Sequence, residues 1–282
     1  MNHSIIMYGI LGVPRADVLV DEGSLSRYAP EVFGVLWRNM SRIYDKAIGY
    51  SPLQDVDRHK LRDLVRVNKS IIDKYFNGGV GDRILVAGAG QGDEAEFVFE
   101  LFDLPTIGVD INIENINCAG SRPGLTLCKQ NLTRLAFKGE GFSLIYCYHV
   151  LEHVVDHLTV LSEFHRVMCP NSVLFVGFPN RHRLISYIGT SQKVSFLEKV
   201  KWNLNDYKYR LLGRFENKYG AHAGFSEHEF LRDARAIFSC VYSVRDEYML
   251  SKYKRLSWLV RFAVVMRLGE VLFPSNYYIC LK

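Results

Sequence analysis

The chain has no CxxC pair among its six cysteines, no internal repeat, no low-complexity tract and no uninterrupted apolar run of bilayer length. Each absence removes a class of protein. Cys118, Cys128, Cys147, Cys169, Cys240 and Cys280 sit mostly in apolar runs, which predicts buried free thiols in a reducing compartment. No His, Cys, Asp or Glu cluster has metal-ligand spacing, so no metal is expected. The start, "MNHSIIMYGILGVPRADVLVDEG", lacks a basic first segment and a small-residue cleavage site and does not read as a signal peptide. The most apolar late stretch, "LSWLVRFAVVMRLGEVLF", is broken by Arg261, Arg267 and Glu270, which argues against a membrane span. A net charge of +5 is too mild to indicate specific nucleic-acid binding. The expectation is a cytoplasmic protein. Its 48% hydrophobic and 23% charged residues suit one large core plus an accessory piece over 282 residues.

The signal is weak up to about residue 57. Residues 58–76 then read as an amphipathic helix, with Leu61, Leu64, Val65, Ile71, Ile72 and Tyr75 near one face. From residue 83 strands and helices alternate. "RILVAG" is an apolar run fit for a strand buried on both faces, "DEAEFVFELF" a helix with acids in its first turn, and "PTIGVDI" a second strand. "ENINCAG" suggests a short helix, "LTLCKQN" and "FSLIYCYHV" two strands, "DHLTVLSEFHRVM" a helix and "SVLFVGFPN" a fifth strand. This alternation predicts an α/β fold, a doubly wound and mostly parallel sheet. It lapses for about forty residues after 180. "SEHEFLRDARAIF" resumes as a helix with a capping box at Ser226 and Glu229, "CVYSVRDEYML" is strand-like, and "NYYICLK" is a final strand. The predicted division is an N-terminal segment 1–79, whose helix packs on the core, and a domain 80–282 with an insertion over 181–220.

Between the first strand and its helix lie Gly88, Gly90 and Gly92. A glycine turn feeding a helix N-terminus offers bare amides and lets a ligand approach the chain. Asp110 ends the second strand, where a carboxylate can accept hydrogen bonds from both hydroxyls of a ribose. These features alone fit several adenine-containing cofactors. The glycines read GxGxG rather than the GxGxxG of dinucleotide sites, since Asp93 holds the last position of that pattern.

With "VLEHV" at 150–154, a "PN" pair ending the fifth strand and the segment "QNLTRLAF", the chain resembles the methyltransferase-11 type of class I S-adenosylmethionine-dependent methyltransferases. The likeness is firm over about 80–180 and looser over 220–282. It implies a Rossmann-like methyltransferase fold of seven strands and S-adenosyl-L-methionine as cofactor. It also implies that the backbone of Gly88 to Gly92 holds the methionine part and Asp110 the ribose. Ile111 would pack on adenine, Asn131 and Leu132 would lie along the adenine edge, and Tyr148 would sit near the sulfonium. The family's usual acid two residues before the first glycine is replaced by Val86, with Asp93 and Glu94 as substitutes to consider.

Methyl transfer from a sulfonium is an in-line displacement, and a base is needed only if the acceptor must lose a proton. His149, His153 and His222 are the candidates. His157 and His165 are spaced as structural residues. "GFSEHEF" lacks the second glycine of a nucleophile elbow.

Two regions are candidates for selecting the acceptor. The insertion carries eight Lys and Arg between Arg181 and Arg214 against Glu198 and Asp206, which reads as a lid over an anionic acceptor or as a solvated hairpin. The stretch from Lys252 pairs five cations with Trp258, Leu259, Phe262, Val265 and Met266, for packing on the core or for peripheral membrane contact. The leading expectation is methyl transfer to a small-molecule, sugar-linked or lipid-linked acceptor. A non-catalytic cofactor-binding protein and a nicotinamide-dependent oxidoreductase are the alternatives.

Overall fold

A computed structural model describes residues 57–111, 123–187, 193–217 and 222–282. The expected short helix at "ENINCAG" lies outside these. The helix before the first strand shares one core with that strand, through Leu61, Val65, Ile71 and Ile72 against Ile84 and Val86.

That helix, α1 (Arg58–Ile72), starts where the Asp57 carboxylate accepts from the Lys60 amide. It buries Leu61, Leu64, Val65, Ile71 and Ile72 as expected, together with Asn68. It ends four residues before the predicted stop, and Tyr75 remains half-buried beyond it, 5.5 Å from the Tyr242 ring.

Seven strands follow: β1 (Ile84–Ala87), β2 (Thr106–Asp110), β3 (Leu125–Lys129), β4 (Phe142–Tyr148), β5 (Met168–Pro179), β6 (Cys240–Ser243) and β7 (Ser275–Leu281). They form one sheet in the order β3-β2-β1-β4-β5-β7-β6, with β7 antiparallel to both neighbours. The remaining pairings are parallel. This is the doubly wound, mostly parallel sheet anticipated from the sequence. β1 is buried at every residue because both faces are covered. One layer packs α1, α2 (Asp93–Phe102) and α6 (Arg245–Lys252) on the face carrying Val86, Tyr146 and Tyr277. The other packs α3 (His157–Val167) and α5 (Glu227–Arg235) on the face carrying Leu85, Ile145 and Tyr278. Ser226 and Glu229 form the expected capping box on α5.

Two readings of the C-terminal third need correction. "CVYSVRDEYML" is a strand only to Ser243. Its second half is α6, which starts with Asp246 and Glu247 and turns Tyr248 and Met249 into the core. The amphipathic stretch after it forms α7 (Ser257–Val265) and α8 (Gly269–Leu272), and it packs inward through Val260, Ala263 and Gly269. Trp258, Leu259, Phe262, Val265 and Met266 all remain exposed, so the apolar face singled out from sequence is not the one that joins the core.

Among the described residues of the insertion after β5 there is one helix, α4 (Phe196–Leu211), with a capping box from Ser195 and Glu198. Its charge is only partly superficial. Arg183 is 3% exposed, and its guanidinium donates to Asp206 at 2.9 Å, to the Asn180, Ala223 and His222 carbonyls, and to Ser186. Arg210 donates to the Arg181 and Arg183 carbonyls and lies 4.0 Å over the Phe215 ring. Arg181 pairs with Glu229. Three of the eight cations counted as surface are therefore internal anchors. No described helix is long and apolar enough to cross a membrane.

Candidate functional site

The parallel strands β1, β2, β4 and β5 end at the same edge of the sheet, and the turns leaving that edge carry the predicted residues. The glycine turn comes first. Gly88, Gly90 and Gly92 all have positive φ, of 69°, 53° and 97°. The turn is closed by backbone bonds from Ala89 to Val109 and from Gly92 to Ala89. The three glycines are not equivalent. A Cβ on Gly88 would lie 2.3 Å from Val150, and one on Gly92 would lie 2.5 Å from Leu127. Both positions are kept bare by the protein's own side chains. A Cβ on Gly90 would meet nothing within 4 Å. Of the three, Gly90 alone has open space where a Cβ would stand. Val150, the first residue of "VLEHV", is what seats the β4 turn against the glycine turn.

Asp110 stands at the end of β2, and its Oδ2 accepts from the Gly90 amide at 2.9 Å. The carboxylate thus fixes the open glycine while remaining partly exposed at the mouth. Ile111 follows, 56% exposed. An open glycine, a carboxylate beside it and a bare isoleucine next along the chain fit an adenosine-containing ligand.

The turn after β3 carries Asn131 and Leu132. Asn131 is exposed, and its Oδ1 accepts from both the amide and the hydroxyl of Thr133, at 3.0 and 2.9 Å, which makes a side-chain turn. Leu132 is 7% exposed and packs in the core.

Of Asp93 and Glu94, the two substitutes considered for the missing acid, Glu94 turns toward the sheet. Tyr146, on β4, donates to Glu94 Oε1 at 3.1 Å and accepts from buried Asn68. Burial of its carboxyl end pushes Glu94 up to about 7, against the lowering effect of the Tyr146 hydrogen bond. Asp93, the other substitute considered, points to Arg58 at the surface. Glu94 is therefore the acid in the first turn of α2 that faces the sheet. Its sequence signal was position alone, since it is one of three acids in a helix start.

Tyr148 ends β4 half-buried. Its hydroxyl is 3.3 Å from that of Tyr248 and 3.5 Å from that of Tyr277. Lys252 donates to Tyr248 at 3.2 Å, and burial brings this lysine down to about 8.

The three candidate histidines converge. His149 Nδ1 is 3.3 Å from Glu152 Oε1, and His153 Nε2 is 4.0 Å from the same oxygen. The His153 and His222 rings meet edge to face at 4.7 Å. Glu152 is 4% exposed and its Oε2 has no hydrogen-bond partner. Burial raises the Glu152 carboxyl, but the His149 hydrogen bond and the neighbouring imidazoles outweigh that and hold it below the usual range. Burial, reinforced by His153, lowers His222 to about 4, so its ring is neutral at pH 7. His149 and His222 both have left-handed φ, at 55° and 43°, a strain that clusters at functional sites. Glu152 was visible in the motif as the residue three after His149, although only tertiary burial reveals it as the centre of the cluster. His157 pairs with Asp233 and His165 packs on Phe238, both as structural residues. Among the described residues no group of His, Cys, Asp and Glu is arranged to hold a metal, and the five described cysteines are free.

Residues 85–176 match the family described as a methyltransferase domain. A ubiquinone biosynthesis O-methyltransferase of Haemophilus ducreyi is 30% identical over 120 residues, which is 39% of this chain and 50% of that one. A probable S-adenosylmethionine-dependent methyltransferase of Mycolicibacterium smegmatis is 26% identical over 117 residues, 41% of this chain and 45% of the other. The chain thus spans about half the length of the curated relatives it matches. Among solved structures, an S-adenosylmethionine-dependent methyltransferase from Archaeoglobus fulgidus aligns over 86% of this chain and 99% of its own, with TM-score 0.51 and 16% identity. Phosphoethanolamine N-methyltransferase 2 of Haemonchus contortus aligns over 77% and 52%, with TM-score 0.50 and 14% identity. At these identities the likeness is one of fold.

Proposed function

We propose that this chain, whose core is a methyltransferase domain of the class I S-adenosylmethionine-dependent kind, transfers a methyl group to a hydroxyl oxygen of a small-molecule acceptor. The observation that carries the reading is the Glu152–His149 pair on the turn whose Val150 packs against Gly88. Amine acceptors are nucleophilic without a base, whereas a hydroxyl gains most from one. The curated relative named as an O-methyltransferase supports the same choice.

S-adenosylmethionine, when bound, supplies an electrophilic methyl on a sulfonium. The residues fit it. The Gly90 segment, Asp110 and Ile111 would hold the adenosine part, and Glu94 would face the amino group of the methionine part in place of the acid missing at Val86. Glu152, buried and ionised, orients His149 and stabilises the imidazolium that forms when His149 accepts the acceptor's proton. His222, neutral and packed on His153, closes the acceptor side. Holding the nucleophile at attack distance removes about 7–11 kcal/mol of barrier, so positioning carries most of the rate. Small-molecule, sugar-linked and lipid-linked acceptors all fit this reading. Retained glycine-turn and carboxylate geometry argue against a scaffold role, and the GxGxG spacing argues against a nicotinamide cofactor.

Calorimetry tests the first half: S-adenosylhomocysteine is expected to bind and NAD is not. A panel of hydroxyl and amine acceptors tests the second. His149→Gln should lower turnover on a hydroxyl acceptor at least about a hundredfold, the low end of general-base effects, with the cofactor Kd unchanged. Equal turnover of the variant, or a preference for amines, would remove the base from the mechanism.

A further inference from the structure

The insertion helix α4 is built the opposite way round from an ordinary surface helix. Its polar side is turned inward: Asp206 pairs with Arg183, and Asn203 exchanges hydrogen bonds with the Ser186 backbone. Its apolar side is turned out. Phe196, Leu197, Val200, Leu204, Tyr207 and Leu211 are all exposed, Leu211 at 88%. Their spacing of three and four residues places them on a single stripe. Lys201 and Lys208, both exposed, flank it.

A second such face adjoins the first. Leu184 donates to the Val271 carbonyl at 2.9 Å, and Tyr207 donates to the Leu184 carbonyl at 2.6 Å. These two bonds join α4, the 184–185 segment and α8. Leu184, Ile185, Val271 and Leu272 are exposed at the junction. On α7, Trp258, Phe262 and Val265 are 66%, 58% and 79% exposed. Lys254, Arg255, Arg261 and Arg267 are exposed around them. Singly exposed leucines are ordinary, but a contiguous apolar tract of this extent is not.

We propose that α4, α7 and α8 form a docking face for an anionic lipid surface. Charge selects this occupant over a second copy of the chain. Among the described residues, the exposed cations of α4 and the α7 region, Lys201, Lys208, Lys254, Arg255, Arg261 and Arg267, outnumber the exposed acids Glu198 and Glu270, so a symmetric dimer across the tract would bring two net positive faces together. An anionic bilayer receives the apolar side chains among its acyl chains and the cations at its headgroups. Trp258 at the rim sits at the depth where indole is favoured. The inference concerns where the protein works and stands apart from the identity of the acceptor.

The test is vesicle flotation of the full chain with phosphatidylcholine alone and with phosphatidylcholine containing phosphatidylglycerol, at low and high salt. Binding is expected to the mixed vesicles, weakening about tenfold or more between low and high salt, with a blue shift of tryptophan emission that Trp258→Phe removes. Lys201→Glu with Arg261→Glu should weaken partition about tenfold or more, and Leu204→Gln with Phe262→Gln should abolish it. Unchanged melting temperature and S-adenosylhomocysteine affinity in both variants separate loss of docking from loss of fold or of cofactor binding. Absence of binding at low salt, or equal binding by the variants, overturns the proposal. A concentration-dependent dimer lost in Leu204→Gln with Phe262→Gln, without vesicle binding, overturns it in favour of a second copy.

Discussion

Asp110 does two jobs in the space of one carboxylate. It holds the Gly90 amide, and in the proposed reading it also accepts from the ribose hydroxyls. Asp110→Ala removes charge-assisted hydrogen bonds worth about 1.5–3 kcal/mol each. S-adenosylhomocysteine affinity should fall at least about tenfold, measured by calorimetry, with the melting temperature little changed. An unaltered Kd would place the ribose elsewhere. The glycines show why residue identity alone is ambiguous. Gly88 and Gly92 are bare for packing and Gly90 is bare toward open space, yet the three look alike in the chain.

Among the elements, the insertion depends most on a single contact. Arg183 is the post on which it stands, tying α4 to the turn that bears His222 through Asp206 and the His222 carbonyl. Arg183→Met leaves Asp206 buried without its partner, and burial already raises that carboxyl. Removing one partner of a buried pair costs about 3–5 kcal/mol. Urea denaturation should show a loss of this order in the insertion, and Asp206→Leu added to Arg183→Met should recover part of it. Cofactor affinity should be unaffected, since Arg183 lies on the β5 side of the site and not at the glycine turn. No recovery in the double variant would show that the arginine's carbonyl contacts matter more than its ion pair.

The whole molecule's response to pH combines two buried groups with opposite signs. Glu94 is raised in the folded state to about 7 from an ordinary value of 4.5, so its stabilising contribution is full below about 4.5 and is lost as pH rises through about 7. His222 is lowered to about 4 from 6.5, so its contribution is full above about 6.5 and is lost as pH falls through about 4. The cofactor-free melting temperature should therefore decline on both sides of a shallow maximum centred near about pH 5.5. If Glu94 receives the amino group of the cofactor, its ionised form becomes favoured on binding. S-adenosylhomocysteine should then raise the melting temperature more at pH 8 than at pH 5.5 and release a proton near pH 6.5. Glu94→Gln should flatten the alkaline limb and abolish the proton release, as read by calorimetry in buffers of different ionisation heat. An alkaline limb unchanged in this variant would assign it to another group.

The sequence by itself determined the sheet, because apolar runs and helical periodicity are local records of which side of an element is buried. The run "RILVAG" predicts β1, and the acids of "DEAEFVFELF" predict where α2 begins. It also located the turns at which Gly90, Asp110, His149 and His153 would meet, since parallel strands deliver their C-terminal ends to one edge. Only the tertiary structure decided how those residues divide the work. Glu152 and Glu94 matter through burial, which depends on the strands and helices packed over them and leaves no mark in their own sequence neighbourhood. The same holds for α4 and α7. The amphipathic pattern of α7 did not say which apolar side chains meet the core, and the charge of the insertion did not say which of its cations are internal. For α4 the inward side was settled by Arg183 and Asp206, which meet only in the fold.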